Sequence, residues 1–167
     1  MVKTHPDIRV MLDANVLIAG SVWPRWPYEV LQHALGGDFR LALSPYIIAQ
    51  AEAQIAKSFP DHAWRFRQLI AGSNLELVKT PSRQQIEEAA GLVRDASDIP
   101  VALAAIAARV DYLVSEDKDL TAQDETTKQL RGKLTVLLSG TFLREVMGWR
   151  SEMLEAIRHR RWQDLAP

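Results

Sequence analysis

Three aspartates stand at positions where a carboxylate could take part in metal chemistry. Asp13 interrupts the apolar run "VMLDANVLIAG", Asp98 opens the alanine-rich stretch "SDIPVALAAIAARV", and Asp117 ends the run "DYLVSED". Two carboxylates about 4 Å apart repel by roughly 4 kcal/mol at an effective dielectric constant of 20, so a cluster of them takes up protons or binds a divalent cation. Oxygen ligands suit Mg²⁺ or Mn²⁺, and the chemistry this predicts is hydrolysis of a phosphodiester by an activated water.

The elements that must bring these aspartates together are strands and helices in alternation. Short apolar or alternating runs predict five strands, at 8–13, 39–44, 75–80, 111–117 and 133–139. Helical spacing of apolar residues predicts helices at 27–37, 44–59, 60–72, 81–96 and 97–110, and two short ones in "GTFLREVMG" and "SEMLEAIRHRR". This order is typical of an α/β fold, a three-layer αβα sandwich with a central, mainly parallel sheet of about five strands.

The predicted topology places the three aspartates on one edge of the sheet. Asp13 and Asp117 follow strands directly, and Asp98 stands at the start of a helix. Open α/β sheets bind ligands at the carboxyl ends of their strands. We therefore expect the three carboxylates to converge there.

Each aspartate also has a purely structural interpretation. Asp13 could end a strand at a turn, Asp98 could cap a helix, and Asp117 could belong to the solvated charge run "SEDKD". Asn15, taken alone, is typical of a turn or a cap. The functional prediction therefore depends on the whole constellation and not on any one member.

The composition bounds the class of protein. A length of 167 residues predicts one domain, spanning 1–167, with a C-terminal helical extension from about residue 148. The absence of cysteine excludes disulfides, thiolate catalysis and cysteine-based zinc sites. A formal net charge of −1 indicates no bulk attraction for a polyanion, but a local basic patch can still bind RNA.

The chain shows no signal for a membrane. No apolar run approaches the ~20 residues that span a bilayer. The first residues, "MVKTHPDIR", lead directly into a strand-like run and lack the long apolar core of a signal peptide. These features predict a cytoplasmic protein.

Two long motifs resemble those of the PIN-domain ribonucleases, a family that includes VapC-like toxins. "VMLDANVLIAG" is similar to the family's first motif, an apolar strand followed by Asp, a small residue, Asn and an apolar run. "SDIPVALAAIAARVDYLVSEDKDL" is similar to a later motif, in which Asp-x-Pro opens a helix that leads into a strand ending in Ser/Thr-x-Asp. The motifs occur in the right order, and the resemblance covers roughly residues 8–147.

This resemblance implies a PIN-like fold and a Mg²⁺- or Mn²⁺-dependent endoribonuclease. It implies a homodimer and the toxin of a toxin–antitoxin pair, neutralised by a small antitoxin. It also implies that Asp13, Asp98 and Asp117 are metal ligands. Asn15 would orient Asp13 or a metal-bound water, and Ser115 stands at the family's hydroxyl position. A further candidate, Asp119, is expected to cap the helix that follows it.

One position departs from the family pattern. The family carries a glutamate about six residues past a serine in the helix after the second strand, and counting from Ser44 leads to Gln50. Glu52 lies about 200° further round a helix of 3.6 residues per turn. Either the helix start is shifted and Glu52 reaches the site, or Gln50 offers a neutral oxygen. The second case keeps open a weakened or inactive PIN-like module that binds protein or RNA.

A phosphohydrolase with an aspartyl nucleophile is a further alternative. An acid after a strand also opens that motif. The chemistry requires a second acid two residues later as a general acid, and Asn15 stands there instead.

RNA requires positive charge near the acids. The candidate basic residues are Arg25, Arg40, Lys57, Arg65, Arg67 and Lys118. Trp23, Trp26 and Trp64 could stack on bases or fill the core. The basic tail "RHRRW" at 158–162 could bind phosphate or an acidic partner, although a helix C-terminus also favours cations.

Overall fold

Five short strands form one sheet in the computed structural model, which describes residues 7–165. They are β1 (Arg9–Leu12), β2 (Arg40–Leu43), β3 (Glu76–Leu77), β4 (Tyr112–Val114) and β5 (Val136–Leu137). Their order in the sheet is β3-β2-β1-β4-β5, and each neighbouring pair is parallel. The predicted parallel sheet of about five strands is confirmed.

Ten α-helices lie within residues 7–165. They are α1 (Ala14–Val22), α2 (Trp26–Leu35), α3 (Pro45–Ser58), α4 (Ala63–Gly72), α5 (Arg83–Glu88), α6 (Ile99–Ala108), α7 (Lys118–Thr121), α8 (Lys128–Arg131), α9 (Ser139–Glu145) and α10 (Ser151–Ala156). None of these helices combines the length and the apolar character needed to cross a bilayer.

The helices cover both faces of the sheet. Because crossovers between parallel strands are right-handed, the strand order places α1 to α4 over one face as the chain moves outward from β1 to β3, and α5 to α8 over the other face as it returns past β1 to β4 and β5. Burial on both faces explains why the central strand β1 reads as a continuous apolar run, with Val10, Met11 and Leu12 fully buried. The predicted three-layer sandwich is therefore confirmed.

Local sequence signals set several helix boundaries. Ser44 caps α3 by accepting a hydrogen bond from the Ile47 amide at 3.3 Å, and Pro45 occupies the first turn. The helix predicted at 81–96 ends at Glu88, because Gly91 adopts a φ of 89°, which a continuing helix cannot use. The helix predicted at 60–72 begins with a 3₁₀ turn at Pro60–His62 before α4.

The C-terminal segment docks on the face that carries α1 and α2. Three indole N–H groups donate hydrogen bonds that fix it: Trp26 to the Leu154 carbonyl at 2.9 Å, Trp149 to His33 Nε2 at 3.0 Å, and Trp162 to the Val22 carbonyl at 2.8 Å. These bonds tie a segment that begins near residue 148 to the preceding helices. Residues 1–6 and 166–167, on which parts of the signal-peptide and domain predictions fall, lie outside the described residues.

Candidate metal centre

Asp13 joins the end of β1 to the start of α1. Its side chain is buried, with 6% exposed, and its backbone amide donates to the Val114 carbonyl of β4 at 2.9 Å. Oδ1 accepts a hydrogen bond from the Ala14 amide at 2.8 Å and so caps α1. The cap uses Oδ1, so Oδ2 can accept hydrogen bonds from other side chains.

Ser115 and Asn15 hold that second oxygen. Ser115 Oγ donates to Asp13 Oδ2 at 2.8 Å, and Asn15 Nδ2 donates to the same atom at 3.3 Å. Asn15 is held in turn because its Oδ1 accepts from the Glu116 amide at 3.1 Å. The Ser115 hydroxyl also accepts from the Asp117 amide at 3.0 Å, so one buried side chain connects two of the predicted metal ligands.

Asp117 caps the short helix α7. Its Oδ1 accepts a hydrogen bond from the Asp119 amide at 2.8 Å. The expectation that Asp119 caps this helix is wrong, because Asp117 occupies the N-cap position. The Asp119 side chain instead turns toward Asp95 and Asp98.

Asp98 precedes α6 without capping it. Its side chain makes no capping hydrogen bond, so the structural interpretation does not account for its carboxylate. Its Oδ2 is buried and has no hydrogen-bond partner among residues 7–165. A buried polar atom without a partner costs about 1–3 kcal/mol, which marks this carboxylate as incomplete on its own.

Asp117 influences the ionisation of both Asp98 and Asp13. Burial, a hydrogen bond to Asp117 and the charges of Asp117, Asp13 and Asp95 together raise the pKa of Asp98 to about 7. Burial also raises the pKa of Asp13, where the hydrogen bonds from Ser115, Ala14 and Asn15 oppose the effect and the charge of Asp117 adds to it. Neighbouring carboxylates that suppress each other's ionisation are the signature of a shared site.

Among residues 7–165, the three acids whose carboxylate oxygens all lie within 4.8 Å of one another are Asp95, Asp98 and Asp119. Of the three predicted ligands, this group contains Asp98 but not Asp13 or Asp117. Arg94 Nη1 lies 3.9 Å from Asp119 Oδ1 at the rim of this group. Sequence reasoning missed both Asp95 and Arg94, although Asp95 stands three residues before Asp98, a spacing that can place two side chains on the same side of a helical turn.

Gln50 and Glu52 do not extend the cluster. Both side chains are exposed on α3, whose buried face is formed by Ile47, Ala51 and Ile55. In the part of the chain that the structure describes, neither makes a hydrogen bond or an ion pair with the aspartates. The carboxylate cluster therefore consists of aspartates alone.

The residues present fit a divalent cation. The donor set consists only of oxygen atoms, which suits Mg²⁺ or Mn²⁺. The unpartnered Oδ2 of Asp98 and the raised pKa values of Asp98 and Asp13 are the consequences expected when carboxylates are buried near one another without a counter-charge. A cation would supply that charge.

The aromatic candidates for base stacking lie away from the carboxylates. Asp13 and Trp23 cap opposite ends of α1, whose nine residues span about 13 Å. Trp64 lies beside Arg65 on α4, and the Arg65 guanidinium also stacks 3.5 Å from the ring centre of Trp162. Trp26 is structural, because its ring lies where a Cβ on Gly140 would approach to 2.9 Å.

The basic candidates are likewise dispersed. Arg40 begins β2 and so lies at the amino ends of the strands, opposite the carboxylates. Lys57 is exposed in the last turn of α3, and Arg67 is exposed on α4. Lys118, the residue after Asp117, stands next to the cluster. In the basic tail, Arg160 is already paired with Glu29 at 2.7 Å.

Comparison with known proteins points to one family. A family model described as PIN domain matches residues 9–119, which include every carboxylate of the cluster. The sequence matches none of the curated proteins.

Three solved structures share the fold. PAE2754 from Pyrobaculum aerophilum has 14% identity and a TM-score of 0.57, covering 88% of this chain and 100% of its own. VapBC2 from Rickettsia felis, bound to a DNA fragment from its promoter, has 17% identity and a TM-score of 0.54, covering 78% and 98%. FitAcB from Neisseria gonorrhoeae has 17% identity and a TM-score of 0.50, also covering 78% and 98%.

Proposed function

This chain belongs to the PIN-domain family, and on that premise we propose that it is a metal-dependent ribonuclease that hydrolyses RNA phosphodiester bonds. PIN domains are generally nucleases. The observation that carries the proposal is the state of Asp98, whose buried Oδ2 lacks a partner among residues 7–165 while burial and the neighbouring aspartates raise its pKa to about 7.

In this proposal Asp13, Asp98 and Asp117 hold Mg²⁺ or Mn²⁺. When bound, the cation supplies charge stabilisation at the phosphoryl group and lowers the pKa of water. Ser115 and Asn15 fix the orientation of Asp13 through their hydrogen bonds to Oδ2. Asp98 must release its proton to serve as a ligand, so its raised pKa makes metal binding pH-dependent.

Asp95 and Asp119 border this site from the side of Asp98. Their charges add to the negative potential that attracts a cation. Lys118 and Arg94, which stand beside the acids, are the basic residues placed to meet the phosphate of a bound strand.

We also propose that the chain is the toxin of a toxin–antitoxin pair and that a small antitoxin neutralises it. The names of two structures of the same fold, VapBC2 and FitAcB, support this assignment. We further propose that the chain forms a homodimer and is located in the cytoplasm. It would be a single PIN-like domain over 1–167, with a helical extension from about residue 148. These points rest on the family resemblance and on the composition.

One observation favours a second candidate, a PIN-like module with weak or no activity. Gln50 stands where the family carries glutamate, and neither Gln50 nor Glu52 contributes to the cluster. One fewer negative charge weakens the binding of a second cation in particular. The aspartyl phosphohydrolase is disfavoured, because the Asn15 amide is engaged with Asp13 and with the Glu116 amide and cannot act as a general acid.

The test is cleavage of an end-labelled structured RNA by the full chain, with Mg²⁺ or Mn²⁺ and with EDTA. The wild type should cleave only with metal, and Asp13→Asn should lose at least about 100-fold in rate because a ligand is removed. Asp61→Asn, at an exposed aspartate of the 3₁₀ turn before α4, is the matched control and should cleave normally. Equal cleavage by wild type and Asp13→Asn would refute the assignment, and binding without cleavage would favour the inactive module.

A further inference from the structure

Away from the carboxylates, the C-terminal segment completes a pocket at the far end of α1. We call it the C-terminal pocket. It is open, has a volume of about 200 Å³, and is lined chiefly by Trp23, Arg25, His62, Arg160, Arg161 and Trp162. Sites for drug-sized ligands usually exceed about 300 Å³, so this volume suits a single small group.

The aromatic wall of the C-terminal pocket is rigidly held. Trp162 donates its indole N–H to the Val22 carbonyl at 2.8 Å, and its ring meets Tyr28 edge-on with centroids 5.2 Å apart. The imidazole of His62 stacks over Trp162 at 6.3 Å, and the Arg65 guanidinium lies 3.5 Å from the Trp162 ring centre. A surface fixed from several sides loses little entropy when a ligand binds.

The charge at the C-terminal pocket is not balanced. Arg160 is paired with Glu29 at 2.7 Å and Arg161 with Asp164 at 3.3 Å. Arg25 donates only to the Arg160 carbonyl, at 3.3 Å, and forms no ion pair with any carboxylate within residues 7–165. Among the described residues, the Arg25 guanidinium thus stands beside this opening without a paired carboxylate, which favours an anion.

Trp23 offers a flat surface next to that charge. Its side chain is 42% exposed, and Phe59 touches it edge-on with centroids 5.5 Å apart. Trp64, 50% exposed, carries the Arg65 guanidinium 4.4 Å from its ring centre on the same side of the molecule. Exposed indole faces interleaved with arginine are the combination that binds single-stranded nucleic acid by stacking and phosphate contact.

We propose that the C-terminal pocket binds one nucleotide of single-stranded RNA, with the base on Trp23 and the phosphate on Arg25. This inference rests on the proposed function, which makes RNA the substrate. The pocket and the carboxylates are separated by the length of α1, about 13 Å, so one strand of RNA can reach both. Contact at that distance from the reacting phosphate strengthens binding of the strand.

The test measures the binding of a fluorescein-labelled, 12-nucleotide single-stranded RNA to the full chain in EDTA, by anisotropy. Arg25→Gln and Trp23→Leu should each weaken binding by about tenfold. Arg83→Gln is the matched control, because Arg83 is 94% exposed on α5 on the other face of the sheet, and it should stay within about twofold. Arg25→Gln should also flatten the dependence of log K on log[salt] by about 0.7, the loss of one phosphate contact on a single strand.

The conservative variant Trp23→Phe separates stacking from folding. It should retain most of the affinity that Trp23→Leu loses, and all variants should melt at the wild-type temperature. Unchanged affinity in both Arg25→Gln and Trp23→Leu would overturn the inference. Displacement of the RNA by inorganic polyphosphate added at the same concentration of negative charge would overturn it as well. A protein that binds RNA through this pocket but does not cleave it with Mg²⁺ would sink the proposed function alone.

Discussion

Ser115 Oγ donates a hydrogen bond to Asp13 Oδ2 at 2.8 Å, although the two residues are 102 positions apart in the chain. They meet because β1 and β4 are neighbours in the sheet and both strands end at the same edge. The same hydroxyl accepts a hydrogen bond from the Asp117 amide at 3.0 Å. Ser115 therefore sets the relative position of two carboxylates that the chain brings from opposite halves.

Replacing Ser115 with alanine should disturb both stability and metal binding. Ser115→Ala removes the shorter of the two hydrogen bonds to Asp13 Oδ2 and leaves the Asp117 amide without its partner, which should lower the free energy of unfolding by about 1–3 kcal/mol. Urea denaturation measures this loss, and Mn²⁺ affinity should fall in parallel. Ser21→Ala is the matched control, because Ser21 is equally buried in α1 but its hydroxyl bonds only to the Leu17 carbonyl. Equal effects of the two substitutions would contradict this role of Ser115.

The metal-free protein should lose stability as the pH rises toward neutrality. The pKa of Asp98 is raised to about 7, above its ordinary value near 4, so the folded state binds this proton more tightly than the unfolded chain does. The free energy of unfolding should therefore decrease between about pH 4 and pH 7, by about 1–2 kcal/mol after allowance for solvent screening. Urea denaturation in EDTA across this range measures the slope.

Asp98→Asn should flatten that pH dependence, and Asp61→Asn should leave it as in the wild type. The raised pKa of Asp13 has the same sign, so part of the slope should survive in Asp98→Asn. Adding Mg²⁺ should reduce the slope in the wild type, because a cation stabilises the ionised carboxylates. A stability that rises over this pH range would count against a carboxylate cluster.

Substitutions of Gln50 and Glu52 should have different effects on Mn²⁺ affinity, because the family carries a glutamate at the position of Gln50. Only one of them can face the site, because they lie about 200° apart on α3. Gln50→Glu should raise Mn²⁺ affinity several-fold by adding a negative charge at the family position, and Glu52→Gln should leave it unchanged. Isothermal titration with Mn²⁺ compares the two. Loss of metal binding in Glu52→Gln would show that the helix register places Glu52 at the site.

The C-terminal segment should contribute to stability through Arg160. This side chain pairs with Glu29 at 2.7 Å, donates to the Pro24 carbonyl at 2.7 Å, and is 17% exposed. Arg160→Met leaves a shielded carboxylate without its partner and should lower the free energy of unfolding by about 2–3 kcal/mol. Arg158→Met, at an exposed pair with Glu155, should change it by less than about 0.5 kcal/mol. Similar values from urea denaturation of both variants would argue that the segment is only loosely docked.

The sequence predicted the fold better than it predicted the surroundings of the site. Buried parallel strands are marked by continuous apolar runs such as "RVML", and the helix starts at Ser44 and Pro100 carry local capping signals. These signals are local, so they can be recognised without knowing what lies nearby. The helix at 81–96 was predicted too long because its amphipathic spacing continued past Gly91, whose backbone conformation ends the helical path.

Contacts between distant segments could not be predicted in this way. Asp95 joins Asp98 and Asp119 only because the turn before α6 folds against the start of α7. The sequence allows Trp23 to stack on a base or fill the core, but it does not show that the direction of α1 carries Trp23 away from the acids. The sequence leaves the basic tail open to phosphate, to an acidic partner or to a helix C-terminus, and the structure pairs Arg160 with Glu29. Each of these outcomes depends on tertiary packing and has no local sequence signal.

The most direct test of a shared cation is a count of Mn²⁺ ions bound to the full chain, by electron paramagnetic resonance of free Mn²⁺. We expect at least one ion per wild-type chain at pH 8, and loss of that ion in Asp98→Asn and in Asp13→Asn. Asp61→Asn should bind as the wild type does. Mn²⁺ binding that survives in either Asp98→Asn or Asp13→Asn, or that is absent from the wild type, would contradict the claim that these carboxylates share a cation.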